Sequence, residues 1–373
     1  MTAAAHRALT ILVAPDSFKG SLTSVQVATA IRDGWLRARA DDTVLLAPLA
    51  DGGEGTLVAI AAAGGWAWQE TDAHDPIGRP YRARWLRSTD STSAVVELAQ
   101  ASGLSRLTTD ERDPMGATTF GTGEVLCAVI AAGVERITLG IGGSATNDGA
   151  RGILEALGAT VEDDAVDLEG LDPRLANVDL RIACDVTNPL LGERGAAATY
   201  GPQKGATPEQ VAQLDQRLER YADALEEASG RRERDTPGAG AAGGTGFGLL
   251  CLTDRFRSLR LVAGVELVMS DVDLDGKLAQ ADLVITGEGQ IDAQTAYGKT
   301  ALGVAKRAKS AGVGCIAVGG GVTPEGIEAL AAQGAVAVPV VERPQTVEEA
   351  MAAGTAPVER CGERLARLID LVR

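Results

Sequence analysis

Histidine is almost absent from this chain: only His6 and His74 occur in 373 residues. A histidine-rich zinc site is therefore excluded. A Ser-His-Asp triad would have to use one of these two, and the chain has no G-x-S-x-G elbow to carry the serine. Cysteine is sparse. The five residues at 127, 184, 251, 315 and 361 show neither CxxC nor metal-ligand spacing, so they read as free core thiols. Aromatics make up 3% of the chain, which leaves an aliphatic, alanine-rich core. No apolar run is long enough to span a membrane. The first ten residues lack the apolar stretch of a secretion signal, so a cytoplasmic protein is expected. Positive charge is in deficit. The formal net charge is −16, so a nucleic-acid-binding face is not expected. An anionic substrate would need locally placed cations.

Lysine is the scarcer cation, six of 35 Lys plus Arg, and three of the six lie in glycine-flanked loops: Lys19, Lys204 and Lys299. An ammonium opposes a phosphate oxygen as a point charge where a guanidinium fork does not fit. Lys277, in Asp275-Gly276-Lys277, reads as a solvated turn lysine.

The length suits two domains. One unit recurs along the chain: an aliphatic run, a glycine-rich loop, then a helical pattern. It is seen at residues 10–31, 43–60, 137–157 and 282–308. This alternation predicts α/β architecture with a mainly parallel sheet, whose ligands sit at the carboxyl ends of the strands. Capping boxes are expected at Thr23/Gln26 and at Thr207/Gln210, the latter opening a long helix with an apolar stripe at Val211, Leu214, Leu218, Tyr221 and Leu225. Residues 229–245, charged and then glycine-rich, read as a mobile loop. Asp75-Pro76-Ile77-Gly78-Arg79-Pro80 reads as a turn.

Several loops carry chemistry. Asp16-Ser17-Phe18-Lys19-Gly20 follows the first strand and precedes a helix, a junction suited to anions. Asp51-Gly52-Gly53-Glu54 sets carboxylates among glycines, a pattern that can hold Mg²⁺ or a hydroxyl. Gly140 to Ala145 mimics the dinucleotide fingerprint G-x-G-x-x-A, which keeps a nicotinamide-dependent oxidoreductase as an alternative. Ser144, Thr146, Asn147 and Asp148 add polar groups better suited to phosphate and metal. The segment ending Gly298-Lys299-Thr300 resembles a P-loop but has Ala293 where the motif needs glycine. Glu288 and Asp292 precede it, in what reads as a loop over residues 287–299. Asp185 and Asn188 fall at another strand end. Phosphate cradles, metal-binding carboxylates, lysines and a base together are what phosphoryl transfer needs.

The chain resembles the bacterial type I glycerate kinases over nearly its whole length. The matching blocks include Pro15-Asp16-Ser17-Phe18-Lys19-Gly20-Ser21-Leu22, Asp51-Gly52-Gly53-Glu54-Gly55-Thr56, residues 140–149, Cys184-Asp185-Val186-Thr187-Asn188-Pro189-Leu190 and Tyr200-Gly201-Pro202-Gln203-Lys204-Gly205. Gln290 stands where the family commonly has arginine or lysine. The resemblance implies two α/β domains, one Rossmann-like with a parallel sheet (residues 1–75 and 285–373) and one inserted (76–284), with the active site in the cleft between them. It implies ATP, Mg²⁺ and D-glycerate, with 2-phosphoglycerate the usual product. On this basis Lys19, Asp148, Asp185 and Lys299 are expected to be catalytic. Asp16, Ser17, Asp51, Arg79, Asn147 and Glu288 are expected to bind substrate. Gly142, Gly143, Ser144, Lys204, Gly243 and Gly244 are expected to bind nucleotide, and Asp185 and Asp292 the metal. The expected partner is the small-molecule substrate, with assembly into a homo-oligomer left open. Besides the oxidoreductase, a sugar-acid sensor without turnover is an alternative.

Overall fold

The aliphatic runs become strands because their branched side chains are covered on both faces, as parallel sheets require. The computed structural model describes residues 7–162, 164–297 and 300–372. Among the described residues the strands are β1 (Thr10–Pro15), β2 (Thr43–Leu46), β3 (Trp66–His74), β4 (Pro80–Ser88), β5 (Ser93–Glu97), β6 (Arg136–Gly140), β7 (Thr160–Val161), β8 (Val166–Asp167), β9 (Asp179–Ala183), β10 (Ser258–Val262), β11 (Leu283–Ile291), β12 (Gly314–Val322) and β13 (Ala335–Pro339). The chain divides into two compact units. The first comprises the described residues of Met1–Ala50, Val58–Gly64 and Val268–Arg373; the second comprises Asp51–Leu57 and Gly65–Leu267.

The first unit holds an all-parallel sheet in the order β13-β12-β11-β1-β2. Numbered within the unit, this is the 2-1-3-4-5 order of a doubly wound, Rossmann-like sheet, and its switch point lies between β1 and β11. Val13, Ile285 and Val318 meet Val27, Ile31 and Trp35 of the helix Ser24–Ala38 and Leu365 of the helix Ala356–Val372. These two helices approach closely because Gly34 has no Cβ; one there would lie 1.8 Å from the Glu359 carbonyl oxygen. Beside them, buried Asp42 accepts from the Trp35 indole at 2.8 Å, Arg39 Nε at 2.6 Å and the Leu9 N–H at 2.9 Å.

The second unit holds a mixed sheet, β10-β9-β6-β5-β4-β3. The run from β10 to β5 is parallel, while β4 and β3 form an antiparallel ribbon at its edge. The ribbon turns at residues 75–79, where Asp75 Oδ1 accepts the N–H groups of Ile77 and Arg79. Ile137, Leu139, Leu180 and Ile182 pack on Leu126 and Val129 of the helix Phe120–Ala131. The helix Pro208–Ser229 starts at the expected Thr207 capping box and buries Leu214, Leu218, Tyr221 and Leu225; Val211 is only partly covered. The Thr23 box is also formed.

Three expectations are corrected. Residues 229–245 do not form a mobile loop. Glu226, wholly buried, gathers Arg232 and Arg234 at 3.1 and 2.7 Å, and Gly238 to Gly248 pack largely into the core, with Ala242, Gly243 and Gly244 left-handed at the kinked start of the helix Ala241–Cys251. Residues 287–291 belong to strand β11, not to a loop: glycines on β11 and β12 admit a close pairing, and a Cβ on Gly287 would lie 2.4 Å from the Val318 carbonyl oxygen. Lys277 is not a solvated lysine. Half-buried, it donates to the Leu46 and Ala63 carbonyls at 3.0 and 2.8 Å, tying the end of β2 to the segment after the helix Thr56–Ala62. No helix among the described residues is long and apolar enough to cross a membrane.

Candidate active site

In the second unit, the carboxyl ends of β6 and β9 open on one cavity of about 430 Å³. Residues 141–144 leave β6, residues 184–186 leave β9, and Asp51 to Glu54 complete the wall. Missing side chains bring these loops together. A Cβ on Gly142 would lie 2.7 Å from Gly53 Cα, and one on Gly264 would lie 1.9 Å from the Asp51 carbonyl oxygen.

Lys204 ends a short 3₁₀ turn, Pro202–Lys204, and reaches into this wall. It is 2% exposed. Its Nζ donates to Ser144 Oγ at 2.9 Å and to the Thr146 carbonyl at 2.5 Å. An ammonium has three N–H donors, so one remains for a ligand. Burial pushes its pKa down to about 7, against the opposing pull of Asp148. A phosphate beside it would restore the full charge.

Asp185 faces the same cavity as Asp51. Burial raises the Asp185 pKa, the Gly264 N–H (2.9 Å to Oδ1) draws it back, and the Asp51 carboxylate adds to the rise. A carboxylate whose charge is disfavoured by a neighbouring carboxylate favours a cation beside it. Among the described residues no group of three or more His, Cys, Asp or Glu side chains forms a metal cage. A carboxylate pair fits Mg²⁺ nonetheless, since that ion usually takes one or two carboxylates and fills its shell with water and substrate phosphates. Tyr200 and Gln203 also line the cavity; the Tyr200 hydroxyl donates to Asn188 Oδ1 at 2.8 Å.

The first unit gathers a separate set of the expected residues at its switch point. Asp16 and Ser17 leave β1, while Glu288 stands on the neighbouring strand β11. Asp16 Oδ1 accepts the Ser17 N–H at 2.6 Å and Oδ2 accepts the Thr300 hydroxyl at 2.6 Å. Buried Glu288 accepts the Thr295 hydroxyl at 2.6 Å. Asp292 caps the following 3₁₀ turn, taking the Gln294 N–H at 2.8 Å. Lys19 is exposed on the turn between Phe18 and Leu22. Lys299 lies outside the described residues.

Other expected residues stand elsewhere in the second unit. Arg79 commits its guanidinium to Asp75 at 2.5 Å and Glu111 at 2.6 Å. Asp148 Oδ2 accepts the Thr119 N–H and hydroxyl at 2.7 and 2.8 Å, joining the starts of the helices Phe120–Ala131 and Arg151–Ala156. Asn147 and Asp148 line a different, smaller cavity from Lys204 and Asp185. Gly243 and Gly244 do not line the nucleotide-sized cavity; their neighbours Ala241 and Ala242 do. Gly243, at φ +69°, presses on the 142–149 loop, where a Cβ would lie 1.9 Å from the Thr146 oxygen.

Glu97 escaped sequence reasoning. It closes β5, is 3% exposed, and accepts the Leu57 N–H at 2.7 Å at the start of the helix Thr56–Ala62. Burial pushes its pKa up. A lone carboxylate ending the run Ser93-Ala94-Val95-Val96 was the available signal.

The G-x-G-x-x-A fingerprint does not make a dinucleotide cradle. The helix after β6 begins only at Arg151, runs six residues, and is preceded by Ala150 in a left-handed conformation without a side-chain cap. Ser144 in that loop holds a lysine instead.

Parallel strand ends, a buried ammonium and paired carboxylates suit phosphoryl transfer, and the chain is a kinase. It belongs to the glycerate kinase family, whose profile matches residues 11–370. It is 42% identical to the glycerate kinase of Halalkalibacterium halodurans, over 96% of this chain and 97% of that one. It is 40% identical to the glycerate 2-kinase of Escherichia coli K12, over 84% and 86% of the two chains. A crystal structure named for glycerate kinase 2 of Salmonella typhimurium LT2 is similar at a TM-score of 0.84, 39% identity and coverage of 98% and 99%.

Proposed function

We propose that this chain transfers the terminal phosphoryl group of ATP to the C2 hydroxyl of D-glycerate, giving 2-phosphoglycerate and ADP. The observation that carries the reading is the second-unit cavity, where the Lys204 ammonium and the Asp51–Asp185 pair share one wall system. In this reading the glycine-rich backbone at Gly142 and Gly143 and the Ser144–Lys204 pair hold the nucleotide phosphates. Lys204 opposes charge that moves to the phosphoryl oxygens as the bond to ADP breaks. Asp51 and Asp185 hold Mg²⁺, which supplies charge neutralisation on those oxygens when bound. The acceptor falls to the groups at the β1–β11 switch point, with Asp16, Ser17 and Glu288 for its hydroxyls and Lys19 for its carboxylate. The names of the relatives support glycerate as acceptor, and the E. coli relative's name supports the 2-position. A cytoplasmic location is supported by the five cysteines, all free thiols.

The test is ADP release from MgATP with D-glycerate, with the product read by enolase alone and by phosphoglycerate mutase plus enolase. Signal with enolase alone is expected. A signal that needs the mutase would move the transfer to the 3-hydroxyl. No ADP release with D-glycerate would overturn the proposal.

A further inference from the structure

A second cavity in the second unit, about 190 Å³, lies where the helix Pro208–Ser229 crosses residues 147–151. It shares no lining residue with the cavity of Lys204 and Asp185. Its walls include three polar groups that find no hydrogen-bond partner among the described residues. Asn147 is 3% exposed, and neither atom of its amide has a partner. Tyr221 is 5% exposed and its hydroxyl has none. Asp148 uses one oxygen on Thr119, while the other, Oδ1, is unpartnered. Leaving such groups unpaired is costly, and native proteins keep few of them unless something else fills the role. Arg217 and Arg220 line the same cavity from its exposed side. Arg217 spends one N–H on the Met115 carbonyl at 2.8 Å. Arg151 is engaged by Glu155 at 2.9 Å and by the Val161 carbonyl at 2.7 Å. Cations outnumber the one carboxylate, Asp148, in a chain whose net charge is −16.

We propose that this cavity is a binding site for a small organic anion bearing a hydroxyl group. Arg217 and Arg220 take its phosphate or carboxylate, and Asn147, Tyr221 and Asp148 Oδ1 take its hydroxyls. A guanidinium grips such anions through paired N–H groups. The volume falls below that of drug-sized sites, so a nucleotide is too large. The inference does not depend on which reaction the other cavity performs.

The probes are sn-glycerol 3-phosphate, inorganic phosphate and glycerol, titrated calorimetrically into the full chain saturated with a non-hydrolysable ATP analogue. Glycerol 3-phosphate should bind, and Arg217→Ala/Arg220→Ala should weaken it at least tenfold, while Gln203→Ala, in the other cavity, leaves it unchanged. Tyr221→Phe removes only the hydroxyl. It should weaken glycerol 3-phosphate severalfold, spare inorganic phosphate, and raise the melting temperature of the ligand-free chain by about 2 °C, because an unsatisfied buried hydroxyl is gone. Absence of binding to the wild type would overturn the proposal. So would loss in Gln203→Ala with no loss in the arginine double variant, which would place the anion in the larger cavity. Inorganic phosphate binding as tightly as glycerol 3-phosphate would remove the hydroxyl contacts from the account.

Discussion

Lys204 lives with a conflict. A strand-end cavity that excludes water makes an ammonium expensive, yet the same exclusion makes it strong against phosphate. Free Lys204 titrates at about 7, against an ordinary value of 10.5. Below 7 it is charged, and as pH rises through 7 the free protein loses that charge. MgATP affinity should therefore fall by up to about tenfold per pH unit above 7, whereas Lys204→Met, which has no ammonium to lose, should bind weakly with a flat pH profile. Equilibrium dialysis from pH 6 to 9 checks this; a profile in Lys204→Met that falls as steeply as the wild type's would contradict it. Stability should run the other way. Between 7 and 10.5 the unfolded chain holds the extra proton, so this site's contribution to stability grows with pH across that window. Urea titrations at pH 6 and pH 9 should show wild type gaining on Lys204→Met. Lys277 differs in kind, for it ties two carbonyls of the first unit. Lys277→Met should cost about 2 kcal/mol in urea titrations and leave the turnover of folded enzyme unchanged. Among lysines, exposure and partners, rather than flanking glycines alone, separate the chemical from the structural.

Elements whose signals are local were legible in the sequence. Thr23 and Thr207 cap their helices through side chains three residues on, and that information sits in four consecutive residues. Thr207→Ala should accordingly cost about 1 kcal/mol, measurable as a lower urea midpoint with an unchanged slope. Strand-loop-helix alternation likewise announced the parallel sheets and the loops at their carboxyl ends. What escaped depends on partners far along the chain. Gly287 and Gly289 read as loop glycines, but Gly287 serves a close strand pairing opposite Val318, and Gly289 lies against the backbone of Phe18 and Lys19. Residues 229–245 read as mobile because their charges look solvated, whereas Glu226 gathers them into a buried network. The β3–β4 ribbon carried no mark separating it from parallel strands except the turn at Asp75. In the site, the loop carrying Ser144 was evident and the lysine that grips it was named, but no spacing rule linked positions 144 and 204. Nor could spacing reveal that Asn147 faces Tyr221's cavity, three residues past a serine that faces the other one. Gly243→Ala should disturb both, since its Cβ would displace the Thr146 carbonyl that Lys204 holds. Loss of MgATP affinity together with lowered stability is expected.

At the scale of the molecule, two units with separate cores each bring a set of polar loops to the carboxyl ends of parallel strands. The doubly wound unit offers hydroxyl and carboxylate chemistry at its β1–β11 switch point, and the other offers a buried ammonium and a carboxylate pair. On the proposed reading, acceptor and nucleotide fall to different units, and their footprints are separable. The most direct measurement is hydrogen exchange with MgATP alone and with D-glycerate alone. MgATP should slow exchange at residues 141–146, 184–186 and 200–205, and D-glycerate at residues 16–20 and 287–292. Protection by MgATP confined to residues 16–20 and 287–292, with residues 141–146 and 200–205 unchanged, would contradict the account.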